Sequence, residues 1–140
     1  MIYYPAQIEY VKEDDAWEVS FPDLDGCFTY GETLEEAKYY AKEALTGYLE
    51  SIDARKLKIP EPSRFEGKNI YYISPEKDVA FAIWLKLTRQ KQGLTQKDVA
   101  AKLGIRYQTY QRIENPEKTN PTLKTILKLE EVLGERIIFS

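Results

Sequence analysis

Residues 94–115, LTQKDVAAKLGIRYQTYQRIEN, set the reading of everything else in the chain. Thr95 is a strong N-cap, since its hydroxyl takes up an orphan amide of the helix that follows. Val99 and Leu103 recur at helical spacing, and Ala100 and Ala101 between them let a second helix come close. Gly104 stops the helix, because glycine enters the left-handed C′ conformation without steric penalty. A second helix starts within a residue or two. On it Tyr110 and Ile113 point one way, and Tyr107, Gln108, Gln111 and Arg112 point the other. That outward face holds no aliphatic side chain and is rich in long, planar hydrogen-bonding groups. Such groups read base edges in a major groove. Thr95, Gln96 and Lys97 stand at a helix N-terminus, where amides and dipole favour a phosphate. Arg106 is placed to reach bases or backbone.

Working outward, the helix expected over 78–92 carries Phe81, Leu85 and Thr88 on the side that faces this motif. Ile83, Trp84 and Leu87 widen its apolar arc beyond one stripe, which predicts burial against more than the motif helices. On the other side, Asn120 is expected to cap a further helix with Pro121 in its first turn. Leu123, Ile126, Leu127, Leu129, Val132 and Leu133 form its core face, and Gly134 ends it. Arg136 to Phe139 reads as a terminal strand. Ile137, Ile138 and Phe139 leave an apolar edge that two copies can pair across a two-fold axis, so the expected state is a homodimer or higher homo-oligomer.

The 140 residues are enough for one domain or two small ones. Hydrophobic residues make up 43% of the chain, with no apolar run long enough to span a membrane. No basic, apolar signal-peptide pattern follows Met1, and a single cysteine, Cys27, fits a reducing cytoplasm. The net charge of −3 conceals a split. Residues 1–75 hold 8 Lys and Arg against 15 Asp and Glu, a net of −7; residues 76–140 hold 12 against 8, a net of +4. An acidic half that repels phosphate is joined to a basic half that attracts it. Two domains are therefore expected, 1–75 and 76–140, the first with a basic partner.

In the acidic half, Ile2 to Val11 is a strand rich in tyrosine and β-branched residues, and Pro5 near its start predicts an edge position. Trp17, Val19 and Phe21 alternate with Glu18 and Ser20, the period of a half-buried second strand. Pro22 to Gly26 breaks it, and Cys27 to Tyr30 forms a third. Thr33 opens a long helix with a capping box closed by Glu36. Leu34, Ala37, Ala41, Leu45, Tyr48 and Ile52 form its apolar stripe. Residues 57–68, with Pro60, Pro62 and Gly67, form a connection, and Ile70 to Ile73 a fourth strand closed by Pro75. The β-β-β-α-β order predicts an α+β layer with the helix on one face of the sheet, followed by an all-α domain with the short terminal strand.

The motif resembles the helix-turn-helix of the lambda-repressor/Cro-like family through Leu94-Thr95-Gln96, Ala100, Leu103-Gly104-Ile105 and Arg112-Ile113-Glu114-Asn115. Arg106 stands where that family usually has a capping Ser or Thr, which weakens the second helix's cap. A second resemblance lies in the run from Trp17 to Ala37, WEVSFPDLDGCFTYGETLEEA, which is similar to HicB-type antitoxins. Asp25 stands where that family usually has a proline. The resemblance implies an N-terminal domain like a truncated ribonuclease H fold, joined to a C-terminal DNA-binding domain. It also implies a HicA-type toxin as partner: a small basic protein that cuts mRNA.

Much chemistry is excluded by composition. The chain has no histidine, so His-based acid–base catalysis, Ser-His-Asp or Cys-His nucleophiles and His metal sites are absent. Cys27, beside Phe28 in an apolar strand, reads as structural. Glu9, Glu18, Asp23 and Asp25 repeat no metal-ligand spacing, and no glycine-rich phosphate loop occurs. Tyr39 and Tyr40 tempt a base-stacking reading, but helical spacing makes Tyr40 only partly core. No catalytic residue, metal or cofactor is implied, so the chain reads as a binding protein rather than an enzyme. The expectation is a cytoplasmic antitoxin that occludes a toxin and represses its own operon at operator DNA. Asp23 and Asp25 in an exposed acidic loop, with Phe28 and Tyr30 beside it, are its expected toxin contacts. The rival is a ligand-sensing repressor, which requires a pocket of converging polar groups in the N-terminal domain.

Overall fold

The computed structural model describes residues 2–137, and the chain divides into two compact units, Ile2–Lys77 and the part from Asp78 onward. In the first unit β1 (Tyr4–Val11), β2 (Ala16–Ser20), β3 (Phe28–Gly31) and β4 (Ile70–Ile73) form one antiparallel sheet in the order β3-β2-β1-β4. Alternation along β1 buries Tyr4, Ala6 and Ile8 and exposes Gln7 and Glu9. The buried side is roofed by α1 (Leu34–Ala54) through Ala37, Ala41, Leu45, Leu49 and Ile52. Full burial of a leucine such as Leu45 or Leu49 contributes roughly 2 kcal/mol. The mixed α+β class and the β-β-β-α-β order stand as the sequence predicts.

Three local expectations are corrected. Pro5 does not mark an edge: β1 is interior, flanked by β2 and β4. Proline is tolerated because the pairing with β2 ends at Gln7 and Ser20, leaving one side of the strand at Pro5 without a ladder. In the cap of α1, the Thr33 hydroxyl accepts from the Glu36 amide at 3.0 Å, but the Glu36 carboxylate accepts from the Glu32 amide at 3.2 Å, one residue ahead of the cap. Leu49, not Tyr48, completes the buried stripe; the Tyr48 hydroxyl instead donates to the Asp25 carbonyl at 2.9 Å. Gly31 joins β3 to the start of α1 so tightly that a Cβ there would lie 2.5 Å from the Ala37 amide nitrogen. No other residue type fits.

The connection from α1 to β4 has no helix or strand between Lys58 and Phe65, yet it is tied down along its length. The Tyr4 hydroxyl donates to the Pro60 carbonyl at 2.6 Å, and burial pushes the pKa of that phenol well up. Asp23 accepts from both the amide and the hydroxyl of Ser63, at 2.8 and 2.7 Å. The Tyr72 hydroxyl takes a bond from the Phe65 amide and donates to its carbonyl, and the Ile8 amide donates to the Asn69 carbonyl.

The second unit contains α2 (Lys77–Lys91), α3 (Gln96–Leu103), α4 (Tyr107–Ile113) and α5 (Leu123–Leu133). Phe81 and Leu85 of α2, Val99 and Leu103 of α3, Tyr110 and Ile113 of α4, and Leu129 and Leu133 of α5 share one core, with Trp84 packed against it. Here too the sequence reading needs correction. Helix α5 starts at Leu123, capped by Thr122, whose hydroxyl accepts from the Thr125 amide at 3.2 Å, so Asn120 is not the cap. Leu123 and Leu127 are 71% and 53% exposed and do not join the core. Residues 135–137 form no strand. Ile137 is buried in its own unit's core, with its amide donating to Glu130 at 2.8 Å, so it is unavailable as a dimer edge. The core had room for one more apolar side chain after Gly134 turned the chain back. Ile138 and Phe139, also expected at that edge, lie outside the described residues.

Candidate binding surfaces

Helix α3 begins with a complete capping box. The Thr95 hydroxyl accepts from the Asp98 amide at 3.0 Å, and the Asp98 carboxylate accepts from the Thr95 amide at 2.8 Å. That backbone bond, first among the causes, holds the Asp98 pKa below its ordinary value. The amides of Gln96 and Lys97 therefore head the helix, with the Asp98 carboxylate beside them. Gly104 closes α3 in the left-handed conformation (φ 71°), its amide bonded to the Ala100 and Ala101 carbonyls. Arg106 precedes α4 without a side-chain cap bond, as its type predicts.

On α4, Tyr110 and Ile113 are buried, while Gln108, Gln111 and Arg112 are exposed and Tyr107 half-buried. Arg106 and Lys97 are exposed on the flanks. The Gln111 amide donates to the Tyr107 hydroxyl at 3.0 Å, and the Lys97 ammonium sits 5.4 Å over the Tyr107 ring. Thus Tyr107, Gln111 and Lys97 are already oriented by one another. Gln108 and Arg112 are exposed on the same helix.

Behind this surface lies a group that sequence reasoning missed. Arg89 donates through Nε and a terminal nitrogen to the two oxygens of Glu114, at 2.8 and 2.7 Å, and through its other nitrogen to the Leu94 carbonyl at 2.9 Å. Gln96 adds a bond to the same carboxylate at 3.2 Å. Both charged side chains are buried. One pair therefore ties α2, the start of α3 and the end of α4 together. The carboxylate acts on the guanidinium to raise its pKa, against the effect of desolvation. Burial, with the Glu114 charge second, also raises the phenol of the fully buried Tyr110. The signal was in the sequence: Arg89 continues the stripe of Phe81 and Leu85 at i+4 spacing, and a charge on a buried stripe demands a partner.

In the first unit, Phe28 and Tyr30 are 73% and 66% exposed on β3, an edge strand. Asp25 is exposed, but Asp23 is half-buried with both carboxylate oxygens engaged by Ser63, so the acidic loop offers one free carboxylate rather than two. Burial pushes the Cys27 thiol up to about 11, which makes it a poor nucleophile. Among the described residues, no three His, Cys, Asp or Glu side chains are grouped to hold a metal ion, and no helix is long and apolar enough to cross a membrane.

The geometry thus defines a class: a mixed α+β unit joined to a helical unit whose short helix α4 presents an exposed polar face. Comparison with known proteins supplies the family. The sequence model of the HicB-like antitoxins of bacterial toxin–antitoxin systems matches residues 3–74, and a helix-turn-helix model matches residues 85–139. The chain belongs to the HicB-like antitoxin family and carries a helix-turn-helix DNA-binding domain. It is 28% identical over 134 residues to Antitoxin HicB 2 of Photorhabdus laumondii, covering 96% of this chain and 92% of that one. It is 40% identical over 63 residues to an uncharacterised 14.9 kDa protein of Haemophilus phage HP1, covering 45% of this chain and 46% of the phage protein. The crystal structure of antitoxin HicB from Burkholderia pseudomallei aligns with a TM-score of 0.49 at 16% identity, over 74% of this chain and 96% of that one.

Proposed function

We propose that the chain neutralises an mRNA-cleaving toxin of the HicA type through its N-terminal domain and represses its own operon through its C-terminal domain. The domains of this reading are residues 1–75 and 76–140, the first a truncated ribonuclease H-like layer and the second a helix-turn-helix. The observation that carries it is the exposed row of Gln108, Gln111 and Arg112 on α4, in a chain whose other unit belongs to an antitoxin family. Tyr107, Gln108, Gln111 and Arg112 are the base readers. Arg106 reaches base or backbone, and Thr95, Gln96 and Lys97 meet a phosphate at the head of α3. Of the expected toxin contacts, Asp25, Phe28 and Tyr30 touch the toxin, while Asp23 fixes the connection at Ser63.

The protein works in the cytoplasm as a homodimer, since one recognition helix contacts too few bases and two are needed about 34 Å apart on one DNA face. It binds rather than catalyses. Two assays on the full chain test the reading. Added to the toxin, it should stop RNA cleavage at stoichiometric amounts. Arg112→Ala should lose about 1–3 kcal/mol at the operator and much less on random DNA, leaving neutralisation intact. Unimpeded RNA cleavage would remove the first function. Equal losses on both DNAs would make Arg112 a phosphate contact.

A further inference from the structure

The face of the sheet turned away from α1 is exposed across β1, β2 and β3, and its composition is unusual for a surface that meets only water. The register sets Glu9 directly opposite Glu18, with Tyr30 across from Glu18 on the other side. In the next row Gln7 faces Ser20, which faces Phe28. Two hollows of about 500 and 400 Å³ lie over this face; they share Glu18, Phe28 and Thr29, and neither is lined by any lysine or arginine. Glu9 takes hydrogen bonds from Gln7 and Asn69, at 2.8 and 3.2 Å, but those donors are neutral. Glu18 has no such partner among the described residues. Like charges directly opposite on neighbouring strands destabilise a sheet, and two large exposed rings beside them have nothing to pack on.

We propose that this face is a docking surface for a basic protein, with Glu9, Glu18, Phe28 and Tyr30 as its contact residues. The partner seats a guanidinium or ammonium between the two carboxylates and lays apolar side chains on the two rings. This resolves both anomalies at once: a cation removes the repulsion, and contact buries the rings. The charge decides between occupants. A domain with a net of −7 repels nucleic acid, and a second copy docked on the same face would set four carboxylates against each other. A cationic partner is the complement. The inference rests on the neutralisation reading above, and names the surface through which the toxin is held.

The test uses the full chain and a purified HicA-type toxin from the same genome, titrated calorimetrically at low and high salt. Glu9→Gln with Glu18→Gln should weaken toxin binding at least tenfold at low salt and flatten its salt dependence. Its thermal midpoint should be unchanged or higher, since a repulsion is gone. Phe28→Ala with Tyr30→Ala should also weaken binding at least tenfold. Operator binding should persist in both, and Glu50→Gln, on the helix covering the other side, should bind toxin normally. If the wild-type chain binds toxin and both double variants bind it equally well, the surface is wrong and the neutralisation reading stands. If the wild-type chain does not bind toxin, that reading falls and the surface with it. A change of oligomeric state in the variants, with toxin binding retained, would assign the face to a second copy and overturn the proposal.

Discussion

The helical unit orients Tyr107, Gln111 and Lys97 by contacts between side chains, whereas the sheet unit places Phe28 and Tyr30 by backbone register. Behind α4, Arg89, Glu114 and Gln96 form a buried polar hub, and on its surface Gln111 and Lys97 both engage Tyr107. On the sheet, Phe28 and Tyr30 stand out because β3 pairs with β2 at a fixed offset, and no side-chain bond fixes either ring. The difference teaches where each surface is vulnerable. A reader of base edges must be oriented to fractions of an ångström, and a buried network supplies that at the risk of failing when one member is lost. A sheet face keeps its fold when an exposed side chain is lost, but a one-residue register slip would turn every contact inward.

The contrast breaks first at the hub. Glu114→Ala leaves Arg89 as a buried, unpaired charge and should cost the helical unit about 3–5 kcal/mol, while Phe28→Ala should stay within about 0.5 kcal/mol of wild type. Urea unfolding followed by circular dichroism measures both. Arg89→Met combined with Glu114→Leu should restore most of the lost stability, because the penalty comes from the uncompensated charge. A single variant as stable as wild type would show that the hub does not support the unit.

A second comparison lies within the helical unit. Ile137→Ala removes a buried side chain and should cost about 2–5 kcal/mol, whereas Leu123→Ala, at an exposed position, should move the thermal midpoint little. Equal small shifts would return Ile137 to the surface role first expected of it.

Next in size is the cap of α3. Thr95→Ala should cost about 1 kcal/mol. It also removes the hydroxyl that works with the Thr95 amide to depress the Asp98 pKa. A depressed carboxylate gives stability that is present above its ordinary pKa and lost as pH falls through its folded value. The variant should therefore show a shallower loss between pH 5 and the acid limit, read from unfolding curves taken at each pH. An unchanged slope would separate the cap from the titration.

The smallest expected effect is none. With no histidine, no side chain has an ordinary pKa between about 6 and 8. Operator affinity at constant salt should be flat across that interval, and a steep dependence in a fluorescence anisotropy titration would point to a shifted group outside the hub and cap.

How much was legible follows from the same contrast. The motif from Thr95 to Ile113 is local: cap, glycine stop and inward tyrosine all lie within a few turns, so its elements and outward face were readable directly. The four strands and α1 were readable from period and capping. What escaped was set by partners distant in sequence. The charge on Arg89 was visible, but not that Glu114, 25 residues on, would meet it. Nor could spacing show that Asp23 belongs to Ser63, 40 residues away, or that Glu9 stands opposite Glu18, since both follow from chain paths that only the folded sheet defines. The end of the chain was misread for a different reason: an apolar residue after a helix stop packs equally well on a partner or on its own core, and only the room left beside Leu133 decides.

The connection between α1 and β4 has one more consequence. It looks like the ordinary surface segment in which proteins accept insertions freely, but its tethers at Pro60, Ser63, Phe65 and Asn69 leave no more than three residues between any neighbouring pair. Adding or removing a residue there must break a tether, release Asp23 or Tyr72, and shift the start of β4 against β1. The length of this segment is therefore as tightly specified as the register of the sheet it closes.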